Sequence, residues 1–150
     1  MEEQGPKMIV IDCSVLVAGI LPDEAQVLAQ RLLGELQQGL LYAVVPPLFY
    51  TEVSNVLLMA YRRNRMSRDV WQEYLDTIAM LPITVDTTTA IKADSIKTVS
   101  ALADKHQLTS YDAVYLELAV RRNFQLATFD EDLYHAAVQE GIGYSRLWPV

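Results

Sequence analysis

The stretch "MIVIDCSVLVAGI", Met8 to Ile20, constrains the fold more tightly than any other part of the chain. Met8 to Ile11 is a continuous apolar run with three β-branched residues, which fits a strand buried on both faces. Asp12 stops that run, and Cys13 and Ser14 follow before apolar residues resume. An ionised carboxylate where a buried strand runs out is stable only if something compensates its charge. The fold around this segment has to supply that compensation.

The remaining periodicities alternate between helix and strand. "LPDEAQVLAQRLLGELQQG" has helical spacing at Val27, Leu28, Leu32, Leu33 and Leu36, with Asp23 placed to cap it and Gly39 to stop it. "LYAVVPP" reads as a short strand, "LFYTEVSNVLLMAYRRN" as a helix, and "RDVWQEYLDTIAML" as another, capped by Ser67 and closed by Pro82. "ITVD" is a candidate strand, and Thr87 to Thr89 can cap a helix over "AIKADSIKTVSALADKHQ". "SYDAVYLELAVRRN" is helical, "FQLATFD" is a strand, "EDLYHAAVQE" a short helix and "GYSRLWPV" an edge strand. Such alternation predicts an α/β fold, a mainly parallel sheet covered by helices on both faces. The carboxyl ends of the strands then share one edge, where ligand sites of such sheets gather.

At 150 residues the chain fits a single domain over 8–150 after a short lead-in at 1–7. A composition of 51% hydrophobic and 21% charged residues excludes a disordered class. No apolar run is long enough to cross a bilayer, so no membrane partner is expected. The N-terminus lacks the basic start of a secretory signal, and a lone cysteine, Cys13, fits a reducing cytoplasmic setting; beside a buried strand end it reads as a small core residue. The formal net charge of −7 argues against strong non-specific nucleic-acid binding. Charge is unevenly spread, however: "YRRNR" and Arg68 gather four arginines, and "RRN" at Arg121 adds two. These are either solvated helix ends that suit the macrodipole or a local edge that faces phosphate.

Four acids belong at the predicted edge. Asp12 and Asp130 end strands, Asp112 lies in the first turn of its helix, and Glu52 lies just inside the helix after Pro46 and Pro47. Ser14 and Thr128 stand two residues from Asp12 and Asp130, and Asn55 shares the helical face of Glu52. Two carboxylates ~5 Å apart repel by about 3 kcal/mol at an effective dielectric of ~20. Four together impose a penalty comparable to the stability of a domain, which a hard divalent cation, Mg²⁺ or Mn²⁺, relieves. Each acid also has an ordinary reading: Asp112 as a first-turn residue, Asp130 as a helix cap, Glu52 as an exposed helical residue. Asp12 is harder to dismiss in this way, since it interrupts an apolar run. Asp76, Asp104 and Glu117 read as solvated faces, and His106 and His135 as surface helix residues.

The blocks "IVIDCSVLVAGI", "YTEVSNVL", "LTSYDAVYLELA" and "LATFDEDL", in this order, resemble those of PIN-domain ribonucleases, and most closely VapC-type toxins of toxin–antitoxin modules. The resemblance implies a three-layer α/β/α fold and Mg²⁺- or Mn²⁺-dependent hydrolysis of RNA. It maps the family's acidic quartet onto Asp12, Glu52, Asp112 and Asp130, with metal held by Asp12, Asp112 and Asp130 and supporting roles for Ser14, Asn55 and Thr128. It further implies a protein antitoxin as partner. Apolar and aromatic residues in "LFY", "VLLMAY" and "VWQEYL" suggest a homodimer seam. Tyr42, Tyr50, Tyr61, Tyr74, Tyr111 and Tyr115 are available for base stacking or for packing. Two rivals stand beside this reading. One is a haloacid-dehalogenase-like phosphatase, which wants a second acid where Ser14 stands; the other is a catalytically silent partner-binding module on the same fold.

Overall fold

The computed structural model describes residues 5–22, 26–87 and 93–149. Its strands are β1 (Lys7–Ile11), β2 (Leu41–Val45), β3 (Ile83–Val85) and β4 (Gln125–Ala127). Its helices are α1 (Cys13–Ile20), α2 (Val27–Gln37), α3 (Leu48–Arg62), α4 (Arg68–Ala79), α5 (Ser95–His106), α6 (Ser110–Arg122) and α7 (Glu131–Gln139). The strands pair in the order β3-β2-β1-β4 and every pair is parallel. The seven helices among the described residues flank this sheet, the three-layer α/β/α arrangement expected of the strand–helix alternation.

Burial explains the sheet. Ile9, Val10 and Ile11 of β1 are fully buried, as are Ala43 and Val45 of β2 and Leu126 and Ala127 of β4. β1 is an inner strand, with β2 on one side and β4 on the other. The chain leaves β1 for β2 and β3 and later crosses back to β4 on the opposite side, so the strand order reverses between β1 and β4. A crevice at the carboxyl end of such a reversal is where α/β sheets bind ligands. Asp12 follows β1 there, with its amide donating to Ala127 O at 3.3 Å, and Thr128 follows β4.

Several local signals hold. Ser67 accepts from Val70 N at 3.2 Å and caps α4. Gly39, with φ of +71°, takes the left-handed conformation just beyond α2 that glycine adopts without steric cost. Asp23, Thr88 and Thr89, expected as caps, lie outside the described residues.

Other expectations are corrected. The apolar residues that resume after Asp12 form α1, a helix the periodicity did not mark because it carries no polar face. Gly19 lets it lie against α2, since a Cβ there would collide with Leu33. "GYSRLWPV" is not an edge strand: Gly143 makes one bridge to Leu126, and Ser145–Leu147 is a 3₁₀ turn. Trp148 draws the segment inward, stacking on Tyr134 with centroids 4.8 Å apart and donating from Nε1 to Thr128 O at 2.9 Å. "FQLATFD" is strand only over β4, after which Thr128 to Asp130 turns into the crevice.

Two residues read as solvated are buried. The His106 side chain is 1% exposed and its Nε2 lies 2.7 Å from Glu140 Oε1, tying α5 to α7. Glu117 is buried and accepts from Arg121 Nε at 2.9 Å. Arg121 also donates to Asp86 Oδ2 at 2.5 Å, and Arg122 reaches Asp86 Oδ1 at 3.4 Å. The "RRN" arginines are therefore engaged with buried acids, Asp86 at the end of β3 and Glu117 on α6 itself. Asp86 drew no attention as a sequence feature because a lone acid after a short strand carries no local signal.

Candidate active site

Asp12 is 7% exposed, and both of its oxygens are spoken for. Ser14 Oγ donates to Oδ1 at 2.5 Å and Thr128 Oγ1 donates to Oδ2 at 2.7 Å. Those hydroxyls are themselves fixed. Ser14 Oγ accepts from Phe129 N at 2.9 Å, and Thr128 Oγ1 accepts from Asp130 N at 2.9 Å. With its acceptor role filled by an amide, each hydroxyl presents its proton to the carboxylate. The turn from Thr128 to Asp130 thus locks onto the start of α1 and holds Asp12 in one orientation.

Burial pushes the Asp12 carboxyl up to about 6, against the downward pull of Ser14, Thr128 and the Val15 amide; the charge of Asp112 adds to the rise. Asp112, half-buried in the first turn of α6, is also raised, by burial and then by the charges of Asp130, Glu52 and Asp132. Each acid of the quartet thus belongs to one electrostatic neighbourhood. Thr109 caps α6, accepting from Asp112 N at 3.2 Å, and this sets where the acid stands. Asp130 does serve as a cap, accepting from Leu133 N through Oδ1 at 2.8 Å, so only Oδ2 is uncommitted to the helix.

Glu52, half-buried on α3, accepts from the Tyr115 hydroxyl through Oε1 at 2.5 Å. Tyr115 is 1% exposed, and its own proton is held tightly by burial and by Glu52. It is the site residue that the sequence does not single out, one of six tyrosines available for base stacking or for packing. The signal lay in its position three residues after Asp112, on the face that α6 turns toward the core. Asn55 is exposed one turn beyond Glu52. Tyr115→Phe removes this restraint on Glu52 and is expected to cost about 1–2 kcal/mol of stability, and, if Glu52 serves a phosphodiester-cleaving site, to lower that cleavage several-fold. Parallel rate and urea-unfolding measurements check it.

The donor set is suited to a hard cation, being carboxylate oxygens with hydroxyls behind them. No Lys or Arg figures among the groups that set the proton affinity of Asp12 or Asp112. Among the described residues no three acid, histidine or cysteine side chains already form a closed ligand cage. A hydrated Mg²⁺ does not require one, because it keeps several waters and takes one or two carboxylates. The residues present fit such an ion.

Comparison with family models finds a match to the PIN domain over residues 9–139. The chain belongs to the PIN-domain family. PIN domains are generally nucleases, and hence hydrolases, that use divalent metals. Among solved structures, the crystal structure of PAE2754 from Pyrobaculum aerophilum is similar in fold, with a TM-score of 0.61 and 18% identity over 92% of this chain and 97% of that one. Comparison with curated proteins gives no match. No described helix is long and apolar enough to cross a membrane.

Proposed function

We propose that this PIN domain is a divalent-metal-dependent endoribonuclease that hydrolyses RNA phosphodiester bonds. Asp12, Glu52, Asp112 and Asp130 are its catalytic residues. Its role is that of the toxin in a VapC-type toxin–antitoxin module in the cytoplasm, restrained by a protein antitoxin. The observation that carries the reading is Asp12: a buried carboxylate, aimed by two fixed hydroxyls, at the reversal point of the sheet and beside Asp112, whose proton affinity the neighbouring acids raise.

Asp12, Asp112 and Asp130 would hold Mg²⁺ or Mn²⁺, which when bound lowers the pKa of water and neutralises charge that develops on a phosphoryl group. Ser14 and Thr128 keep Asp12 in its ligating orientation. Tyr115 restrains one oxygen of Glu52, leaving the other to orient the attacking water. Asp130 keeps one oxygen on the Leu133 amide of α7 and offers the second to the crevice. Asn55, exposed along α3, can hydrogen-bond the strand that enters. Most of the apolar surface of α3 and α4 is used within the chain: Phe49, Val53 and Leu57 are buried, and Tyr61 stacks on Trp71 with centroids 4.9 Å apart. A homodimer would draw on what remains, with Tyr50 exposed and Leu48, Val56 and Leu58 half-buried.

Incubation of the purified protein with end-labelled RNA tests the reading. Cleavage is expected with Mn²⁺ or Mg²⁺, to stop with EDTA and to return when Mn²⁺ is added in excess. Equal cleavage in EDTA contradicts the metal dependence, and no cleavage under any of these conditions contradicts the nuclease.

A further inference from the structure

The quartet alone does not account for how a chain of net charge −7 holds a polyanion. Its cations answer that question unevenly. Arg121 and Arg122 are bound to Asp86, Arg146 to Glu35 and Lys105 to Glu140, while Lys7 lies over the Tyr144 ring. Arg31 and Lys97 stand singly on other helices. At the turn between α3 and α4, by contrast, Arg62, Arg63 and Arg68 are all exposed, and none is in an ion pair among the described residues.

The macrodipole explains only part of this group. Arg62 and Arg63 suit the C-terminal end of α3. Arg68 is the first residue of α4, where the dipole disfavours a cation and favours the neighbouring Asp69. A residue placed against the local rule, in a turn that is otherwise well built, points to function. The turn is well built: Ser67 caps α4, Asn64 takes the left-handed conformation at φ 59°, and Tyr61 stacks on Trp71 within 7° of parallel.

The helix itself connects this turn to the acids. Glu52, Asn55, Met59 and Arg63 are spaced by three, four and four residues and so fall on one stripe of α3. The stripe is half-buried to exposed along its length, while Phe49, Val53, Leu57 and Ala60 are buried on the core side. At 1.5 Å per residue the guanidinium end lies about 15 Å from Glu52, a span that a strand of a few nucleotides bridges.

We propose that α3 is the track for single-stranded RNA: Asn55 and Met59 line it, and Arg62, Arg63 and Arg68 hold the phosphates of the strand that flanks the scissile bond. The inference rests on the ribonuclease reading and names the part of the molecule that binds the substrate outside the acids. Cations gathered at one end of a repelling surface also place the strand, since it is attracted at the turn and tolerated at the crevice only with a metal present.

The test uses the full chain with Arg62→Ala, Arg63→Ala and Arg68→Ala combined, and the same three positions as lysine. Anisotropy of a fluorescein-labelled single-stranded RNA is measured in EDTA across a salt series, alongside Mn²⁺-dependent hydrolysis of bis(p-nitrophenyl) phosphate, which has no flanking strand. Three lost phosphate contacts lower the slope of log K against log salt by about 2 and weaken low-salt binding about tenfold or more. Hydrolysis of the small ester is expected to be unchanged, and the lysine version to keep most of the slope. Wild-type slope and affinity in the alanine variant would overturn the track and leave the nuclease reading intact. If that variant keeps RNA binding but loses binding to polyglutamate, the turn faces a protein and the proposal fails. A wild-type chain that hydrolyses the ester yet neither binds nor cuts RNA sinks the RNA assignment and the track with it.

Discussion

Asp12→Asn is expected to lower metal-dependent RNA cleavage by about a thousandfold or more, a loss of the several kcal/mol that metal-assisted charge stabilisation supplies. The same change is expected to make the metal-free protein more stable at neutral pH. The Asp12 carboxyl sits near 6 in the folded chain against an ordinary value of 3.8. A folded-state pKa above the unfolded one stabilises the fold fully below the unfolded value, and that stabilisation is lost as pH rises through the folded value. The loss therefore develops between about pH 4 and pH 6 and amounts to about 3 kcal/mol once Asp12 is ionised. Asparagine does not titrate, so the variant is spared this loss. Some of the gain is forfeited, because its amide group cannot accept from both Ser14 and Thr128 as the carboxylate does.

The distinguishing measurement is the difference in unfolding free energy between the two proteins in EDTA as a function of pH. A gap that opens between pH 4 and pH 6 in favour of asparagine is the expected result; a flat difference refutes the electrostatic account of Asp12. Mn²⁺ should close the gap by stabilising the wild type alone, by about 2.7 kcal/mol at a hundred times the dissociation constant. A silent partner-binding module predicts the stability effects without a catalytic one, so RNA cleavage measured on the same samples separates the two. A phosphatase that uses Asp12 as nucleophile wants a second acid two residues on, and Ser14 stands there, its hydroxyl donating to Asp12.

How much of this was legible in the sequence depends on how local each signal was. The parallel sheet and the grouping of Asp12, Glu52, Asp112 and Asp130 follow from strand ends and helix starts, which are local patterns brought together by topology. The hydroxyl clamp of Ser14 and Thr128 could be placed near the acids, yet its direction depends on the amides of Phe129 and Asp130, which only a folded turn supplies. Tyr115 and His106 escaped because one side chain's burial depends on what packs over it, and helical spacing does not report the neighbour. α1 escaped for the opposite reason: a helix apolar on all sides has no period to read. Glu117 and Asp86 form a third case, acids that lie four and thirty-five residues away from their shared partner Arg121 in the chain.

That last group carries the second large expectation. Arg121→Met keeps most of the side-chain stem and removes the guanidinium that bridges Asp86 and Glu117, whose side chains are 3% and 8% exposed. Removing one partner of a buried ion pair leaves charge uncompensated and is strongly destabilising, by about 3–5 kcal/mol. Arg122 stays 3.4 Å from Asp86 and offsets part of that, so a loss of about 3 kcal/mol, the lower end, is expected in urea unfolding. Replacing the acids as well, with Asp86→Asn and Glu117→Gln in the same chain, should recover much of the stability, because neutral amides do not need the guanidinium. Hydrolysis of a small phosphodiester should persist at temperatures where the single variant is folded. If Arg121→Met instead leaves stability untouched and weakens RNA binding in a salt-dependent way, the arginine serves phosphate rather than the fold. The network is then a second cationic contact surface, and the contrast between paired and unpaired arginines on which the α3 track rests loses its force.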